Sequence, residues 1–126
     1  MKIPKGMEAV VFSTAYYKVN DFGKVHDFFI KLSESGFFGS DKEDPKAKIL
    51  SGSFIRDYPK GHWNPMASVK GAKQVVGNIE IKNSILKVEA NTKSGLQGIM
   101  EILEQGLGSV LEFQSEEFKD PMEMLG

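Results

Sequence analysis

The segment from Val75 to Ala90 constrains the fold most, because its alternation of apolar and polar residues predicts two paired strands. The apolar positions on the shared face are Val75, Ile79, Ile81, Leu86, Val88 and Ala90. With a two-residue loop at Asn83-Ser84, Ile81 stands opposite Leu86. The same register places Glu80 opposite Lys87, so that opposite charges face each other. A slip of one residue would turn the apolar set to solvent, and the pattern therefore predicts a β-hairpin in this register.

An amphipathic helix and a further strand are predicted after the hairpin. Ser94 and Gln97 form a capping-box pattern that indicates the helix start. The apolar face carries Leu96, Ile99, Met100, Leu103 and Leu107. Gly106 and Gly108 predict a left-handed helix end, after which residues 110–113 return to extended structure. Gly95 and Gly98 on the helix flank indicate close packing against the other helix, an interpretation favoured over a partner site.

The first half of the chain predicts two more strands and another helix. Residues 8–19 are rich in β-branched and aromatic side chains on both faces, which favours a central strand. A helix capped by Asn20-Asp21 follows, with an apolar stripe that ends before Gly36. Residues 37–48 contain Gly, Pro and a run of charges and are predicted to form a surface loop. Residues 49–55 then predict a strand that is weakened or bulged at Gly52.

Together these elements predict a single α+β domain over residues 1–126. The expected architecture is a two-layer sandwich with a mostly antiparallel five-stranded sheet, two helices on one face and the order β-α-β-β-β-α-β. A right-handed crossover is expected between the strand ending at Ala90 and the strand at Val110 if the two are parallel. A chain of 126 residues with 40% hydrophobic and 26% charged residues is typical of one soluble core.

The composition and motifs bound the chemistry that the chain supports. There is no cysteine, which excludes disulfides, thiol nucleophiles and zinc sites built on thiolates. Neither a Ser-His-Asp order nor a GxSxG, P-loop or GxGxxG motif is present, so no catalytic residue, metal ligand or cofactor is expected. The sequence also shows no signal peptide and no apolar run of membrane-spanning length, which favours a cytoplasmic protein without membrane contact.

The irregular segment between Asp57 and Lys73 is the best candidate site in the sequence, since long loops in small domains are often functional. The candidate ligand-binding residues are Arg56, Lys60, His62 and Trp63. In one interpretation Trp63 is a stacking platform and the cations contact an anion or single-stranded nucleic acid. In the favoured one, Trp63 buries its ring at the core edge and anchors the loop. Because Arg56 is the chain's single arginine, sequence-specific nucleic-acid recognition is disfavoured.

Charge is unevenly distributed along the chain. Residues 42–74 carry a net charge of +4, whereas residues 101–126 carry −6. A solvated surface is the usual explanation, and the alternatives are an acidic tail over a basic loop or a basic patch for an acidic partner. The carboxylates Glu116, Glu117, Asp120 and Glu123 lack the spaced ligands and the glycine of a calcium loop.

A resemblance to a known module rests on a small set of motifs in the C-terminal part of the chain. They are Gly77–Ile81, Leu86–Thr92, Leu103-Glu104, Leu107-Gly108 and Asp120-Pro121. In these residues the chain resembles a module of uncharacterised bacterial proteins, some of which also carry a SEC-C-type zinc-binding segment. This chain has no cysteine for that segment, and Gly95 stands where the group often has an arginine. The resemblance implies a fold and no activity.

The sequence therefore favours a non-catalytic cytoplasmic interaction or accessory module, with another protein or a second copy of the chain as partner. Two alternatives stay open. One is a weak binder of nucleic acid or an anionic ligand that uses the basic loop 56–73. The other is a small enzyme of unknown type.

The two interpretations of Trp63 predict different fluorescence and stability. If Trp63 is an anchor, its emission is blue-shifted and weakly quenched by iodide, and Trp63→Ala lowers the free energy of unfolding by about 3–5 kcal/mol. We expect emission spectra and denaturant melts to identify Trp63 as an anchor. Solvent-like emission together with a mutant as stable as the parent would instead identify a stacking platform.

Overall fold

The structure, a computed structural model, describes residues 11–57 and 73–119. In chain order the elements are β1 (Phe12–Val19), α1 (Phe22–Glu34), β2 (Phe38–Asp44), β3 (Ile49–Asp57), β4 (Lys73–Lys82), β5 (Ile85–Ala90), α2 (Lys93–Leu107) and β6 (Leu111–Lys119). The strands form one six-stranded sheet in the order β2-β3-β4-β5-β1-β6. Every neighbouring pair is antiparallel, so the described residues form an α+β fold.

The sixth strand is β2, and the prediction of five strands with a surface loop over residues 37–48 is wrong. After Phe38 and Gly39, β2 contains only polar and charged residues, without the apolar alternation that indicates a strand. It forms because its backbone pairs with β3 and because Phe38 is buried in the core. One side of β2 is an edge of the described sheet, where charged side chains are solvated and discourage further pairing.

The β4-β5 hairpin has the predicted register. Ile81 pairs with Leu86, and Glu80 pairs with Lys87. Asn83 and Ser84 form the connection with φ angles of 55° and 62°, the left-handed pair that a two-residue turn requires.

Val75 departs from the prediction that it shares the buried face. Its side chain is 59% exposed, whereas Ile79 and Ile81 are buried. The β3-β4 register shifts at this point, because Phe54 pairs with Gly77 while the next residue, Ile55, pairs with Val75. The extra residue, Val76, breaks the period of two and turns Val75 away from the core.

The position of β1 determines how the second half of the chain crosses the sheet. Both β5 and β6 pair antiparallel with β1, so β5 and β6 run in the same direction with β1 between them. Helix α2 connects β5 to β6 across β1. The crossover was predicted for the case in which these two strands are parallel, and they are. The right-handed sense of this connection stays a prediction.

The two helices contribute to one hydrophobic core against the same face of the sheet. Helix α1 buries Val25 and Phe29, and the Phe29 ring contacts Phe38 of β2 and Phe54 of β3. The buried side chains of α2 are Leu96, Ile99, Leu103 and Leu107, as the helical spacing predicts. The sheet adds Ala15, Tyr17, Val19, Leu50, Ile79, Ile81, Leu86, Val88 and Ala90 to the same cluster.

The ends of α2 differ from the prediction. The helix begins after Thr92, whose Oγ1 accepts a hydrogen bond from the Gly95 amide at 3.0 Å, so the cap is two residues before Ser94. At the other end Gly108 has a φ of −55°, and the left-handed termination is wrong. The chain instead makes a right-handed turn, in which the Val110 amide donates to the Leu107 carbonyl at 2.9 Å.

The close approach between the helices occurs at Gly106 and not at the predicted glycines. A Cβ atom on Gly106 would collide with the Phe28 ring of α1. Gly98 has open space beside it, and a Cβ on Gly95 would meet the Thr92 cap of its own helix and Ala90. Gly106 therefore sets the distance between α1 and α2 because it has no side chain.

The helical phase of α2 gives a direct stability prediction. Leu103 is fully buried and Gln105 is exposed on the other side of the helix. Leu103→Ala is expected to lower the free energy of unfolding by about 2–5 kcal/mol, and Gln105→Ala by much less. Urea melts of both variants measure the difference. Equal midpoints with unchanged slopes would contradict the assigned phase.

Candidate functional site

Of the four residues predicted as a ligand site, the structure describes Arg56 alone. Arg56 is exposed near the end of β3, where its Nε donates a hydrogen bond to Gln74 Oε1 of β4 at 3.0 Å. Lys60, His62 and Trp63 lie outside the described residues. The site around the basic loop therefore stays a prediction, with Arg56 at the base of the loop.

A small cleft opens where β4 and β5 stop pairing. The last pair of the ladder is Asn78 with Glu89, and the space beyond it has a volume of about 150 Å³. Its walls include Phe12, Thr14, Val76, Asn78, Glu89 and Asn91. Asn78 Oδ1 already accepts a hydrogen bond from Ser53, and Glu89 pairs with Lys87 Nζ at 3.1 Å. Since small-molecule sites usually measure 300–1,000 Å³, the cleft is a poor fit for a ligand larger than a few atoms.

The outer edge of β6 is the stronger candidate. Strand β6 pairs with β1 on one side, and no strand within residues 11–57 and 73–119 pairs with its other side. Every residue of β6 after Leu111 is exposed. An exposed strand edge of this length presents unpaired backbone donors and acceptors, which are a template for another strand.

A bulge at Gln114 brings two aromatic side chains of β6 to the same face. Tyr16 pairs with Ser115 while Tyr17 pairs with Phe113, so Gln114 is an extra residue opposite β1. Phe113 and Phe118 consequently both lie on the face that the helices cover, although they are five positions apart in the sequence. They are 48% and 41% exposed. Sequence alternation alone places them on opposite faces, which is why the pair was missed.

Contacts within the chain hold both phenylalanine rings. Phe113 makes an edge-to-face contact with Tyr17, with 5.7 Å between the ring centroids and an interplanar angle of 72°. The Lys93 ammonium at the start of α2 lies 5.1 Å from the centroid of the Phe118 ring. Apolar area that is exposed and already ordered loses little side-chain entropy when a partner covers it.

Tyr17 connects this edge to α2. The side chain is buried, and its hydroxyl donates a hydrogen bond to Glu104 Oε1 at 3.3 Å. Burial, followed by the negative charge and hydrogen bond of Glu104, raises the pKa of Tyr17 well above its usual value. Glu116 of β6 contributes in the same direction. The Tyr17 hydroxyl therefore stays protonated at physiological pH and donates its proton in the hydrogen bond to Glu104.

The charges of β6 are divided between the two faces of the sheet. Glu116 lies on the helix face, between Phe113 and Phe118. The opposite face carries Glu112, Glu117 and Lys119. We call these six residues (Phe113, Glu116, Phe118, Glu112, Glu117 and Lys119) the β6 edge. Its net charge of −2 repels anions and most extended acidic segments.

His26 makes a contact that the sequence did not reveal. Its Nε2 lies 2.8 Å from Glu43 Oε1 of β2, and its ring stacks on Phe22 with 5.8 Å between centroids. Phe22 lies in α1, and Glu43 lies in β2, the strand at the opposite end of the described sheet from β6. The pair fastens β2 to α1 and is a structural contact.

The described ranges contain no group of three or more His, Asp or Glu side chains that could hold a metal ion. Neither α1 nor α2 is long and apolar enough to cross a membrane. A scan against protein-family models, a search of curated proteins and a search of solved structures found no match to this chain.

The raised pKa of Tyr17 predicts a loss of stability in alkali. An unfolded tyrosine ionises near pH 10, while the buried hydroxyl stays neutral, so ionisation favours the unfolded state as the pH rises above about 10. In denaturant melts from pH 8 to 11, we expect the wild type to lose more stability than Tyr17→Phe. Tyr16→Phe, on the opposite face of β1, is the control and retains the wild-type loss. Parallel curves for wild type and Tyr17→Phe would contradict the burial effect.

Proposed function

We propose that the chain is a non-catalytic interaction module that binds a protein partner through the β6 edge. The observation that carries the proposal is an edge strand without a described outer neighbour, with two half-exposed phenylalanines on one face. We also propose that the protein is cytoplasmic and that its C-terminal part is related to the module of uncharacterised bacterial proteins that it resembles.

Two kinds of interaction support binding at this edge. A partner strand would satisfy the outward backbone groups of β6 by strand addition, which provides affinity without a deep pocket. Phe113 and Phe118 would supply apolar area, at about 25 cal/mol per Å² removed from water, and aromatic residues are enriched at protein interfaces. The carboxylates around them restrict the choice of partner, since a strand with like charges opposite them is rejected.

The alternatives from the sequence are not favoured at this edge. Nucleic acid would meet a net charge of −2 along β6, which opposes phosphate binding. Binding of nucleic acid or an anion by the basic loop stays a prediction, as does a small enzyme of unknown type.

Replacing the two phenylalanines tests the proposed surface. Phe113→Thr with Phe118→Thr introduces β-branched residues that suit a strand and removes the aromatic area. Val75→Thr with Ile85→Thr is the matched control, because both residues are exposed and lie away from β6. Affinity capture with each tagged protein, quantified by mass spectrometry, is expected to lose bound partner for the edge variant only.

Denaturant melts of the same proteins separate binding from folding. The edge variant is expected to remain folded, since both rings are half exposed. Equal recovery of partner by the edge variant, the control and the wild type would refute the β6 edge as the binding surface.

A further inference from the structure

We infer that the partner at the β6 edge is a second copy of this chain, paired antiparallel through β6 about a two-fold axis. The inference rests on the proposed function and names the partner. Closed two-fold pairing is the commonest assembly of identical chains, and it requires that the edge be complementary to itself.

The faces of β6 determine which registers are possible. Residues directly opposite each other in an antiparallel pair point to the same face, so each residue must meet a residue of its own face. Placing Glu116 opposite the Glu116 of the second copy satisfies this condition along the strand, with the extra residue Gln114 bulged in each copy. Ser115 then faces Glu117, and both lie on the face away from the helices.

The same register makes the remaining pairs complementary. Phe113 meets Phe118 of the other copy on the helix face, and this occurs twice because of the symmetry. Glu112 meets Lys119 on the opposite face, again twice. Two aromatic pairs and two opposite-charge pairs thus form together, and both are favourable kinds of cross-strand contact.

The two neighbouring registers lose these contacts. If Ser115 lies on the axis, Glu112 faces Glu117 and Phe113 faces Glu116. If Glu117 lies on the axis, Phe118 faces Glu116 and Lys119 faces Ser115. Like charges or a carboxylate against an aromatic ring replace the favourable pairs in both of these registers, so the register centred on Glu116 is favoured over its two neighbours.

One unfavourable contact remains, at the axis itself. The two Glu116 carboxylates face each other, and like charges directly opposite are destabilising. This contact weakens a dimer that the four flanking pairs favour. The Glu116 repulsion makes the association reversible. The pairing joins two six-stranded sheets into one continuous sheet, with both helix layers on the same side.

A charge-swap cycle on the full chain, measured by sedimentation equilibrium, tests the register. The wild type is expected to show a concentration-dependent dimer. Glu112→Lys and Lys119→Glu each create two like-charge pairs and are expected to raise the Kd by about tenfold or more. The double variant restores opposite charges in reversed order and is expected to return the Kd to within about threefold of the wild type. Lys82→Glu, an equal charge change on β4, is the control and leaves the Kd unchanged.

Two more variants test the centre and the aromatic pairs. Glu116→Gln is expected to tighten the dimer, because it removes the repulsion at the axis while retaining the side-chain shape. Phe113→Thr with Phe118→Thr is expected to abolish it. Circular dichroism of every variant verifies that the sheet is intact.

The outcomes distinguish this inference from the proposed function. A wild type that stays monomeric into the millimolar range, or a double swap that is no tighter than the single swaps, overturns the self-pairing. If such a monomer still captures a different protein through Phe113 and Phe118, the interaction module stands and its partner is another chain. A dimer that persists unchanged in every β6 variant forms through another surface and overturns the self-pairing.

Discussion

The insertion of β1 between β5 and β6 is the constraint on which the rest of the structure depends. Because β1 pairs antiparallel on both sides, β5 and β6 are parallel and cannot be joined by a tight turn, so α2 must cross the sheet. That crossing places Leu103 in the core and Glu104 beside Tyr17. It also leaves β6 at the margin of the described sheet, which is where the proposed interaction surface lies.

Single extra residues in two strands decide which side chains the protein exposes. Val76 shifts β4 against β3 and turns Val75 toward solvent. Gln114 shifts β6 against β1 and brings Phe113 to the face that Phe118 occupies. Bulges preserve the sheet while they change the direction of side chains, and they are common at sheet edges and functional positions. The apolar character of the β6 edge is therefore a consequence of backbone register.

The charges of β6 balance association against aggregation. Long exposed edges with apolar residues are aggregation hazards, and natural proteins commonly protect them with charged side chains. Here Glu112, Glu116 and Glu117 provide that protection, while Lys119 offers an opposite charge. In the proposed association, this arrangement would accept a partner in one register and reject many others, which gives specificity at the expense of affinity.

The sequence by itself determined the β4-β5 register, the two helices and the phase of α2, because each is encoded by local periodicity. In the hairpin, for example, Glu80 is paired with Lys87 across a turn of two residues, as the sequence pattern predicts. It did not reveal β2, whose charged residues become a strand only when β3 is beside them. Nor did it reveal the surface formed by Phe113 and Phe118, since residues five apart share a face only after β1 forces a bulge. Such features depend on pairing between distant segments, and tertiary structure alone decides them.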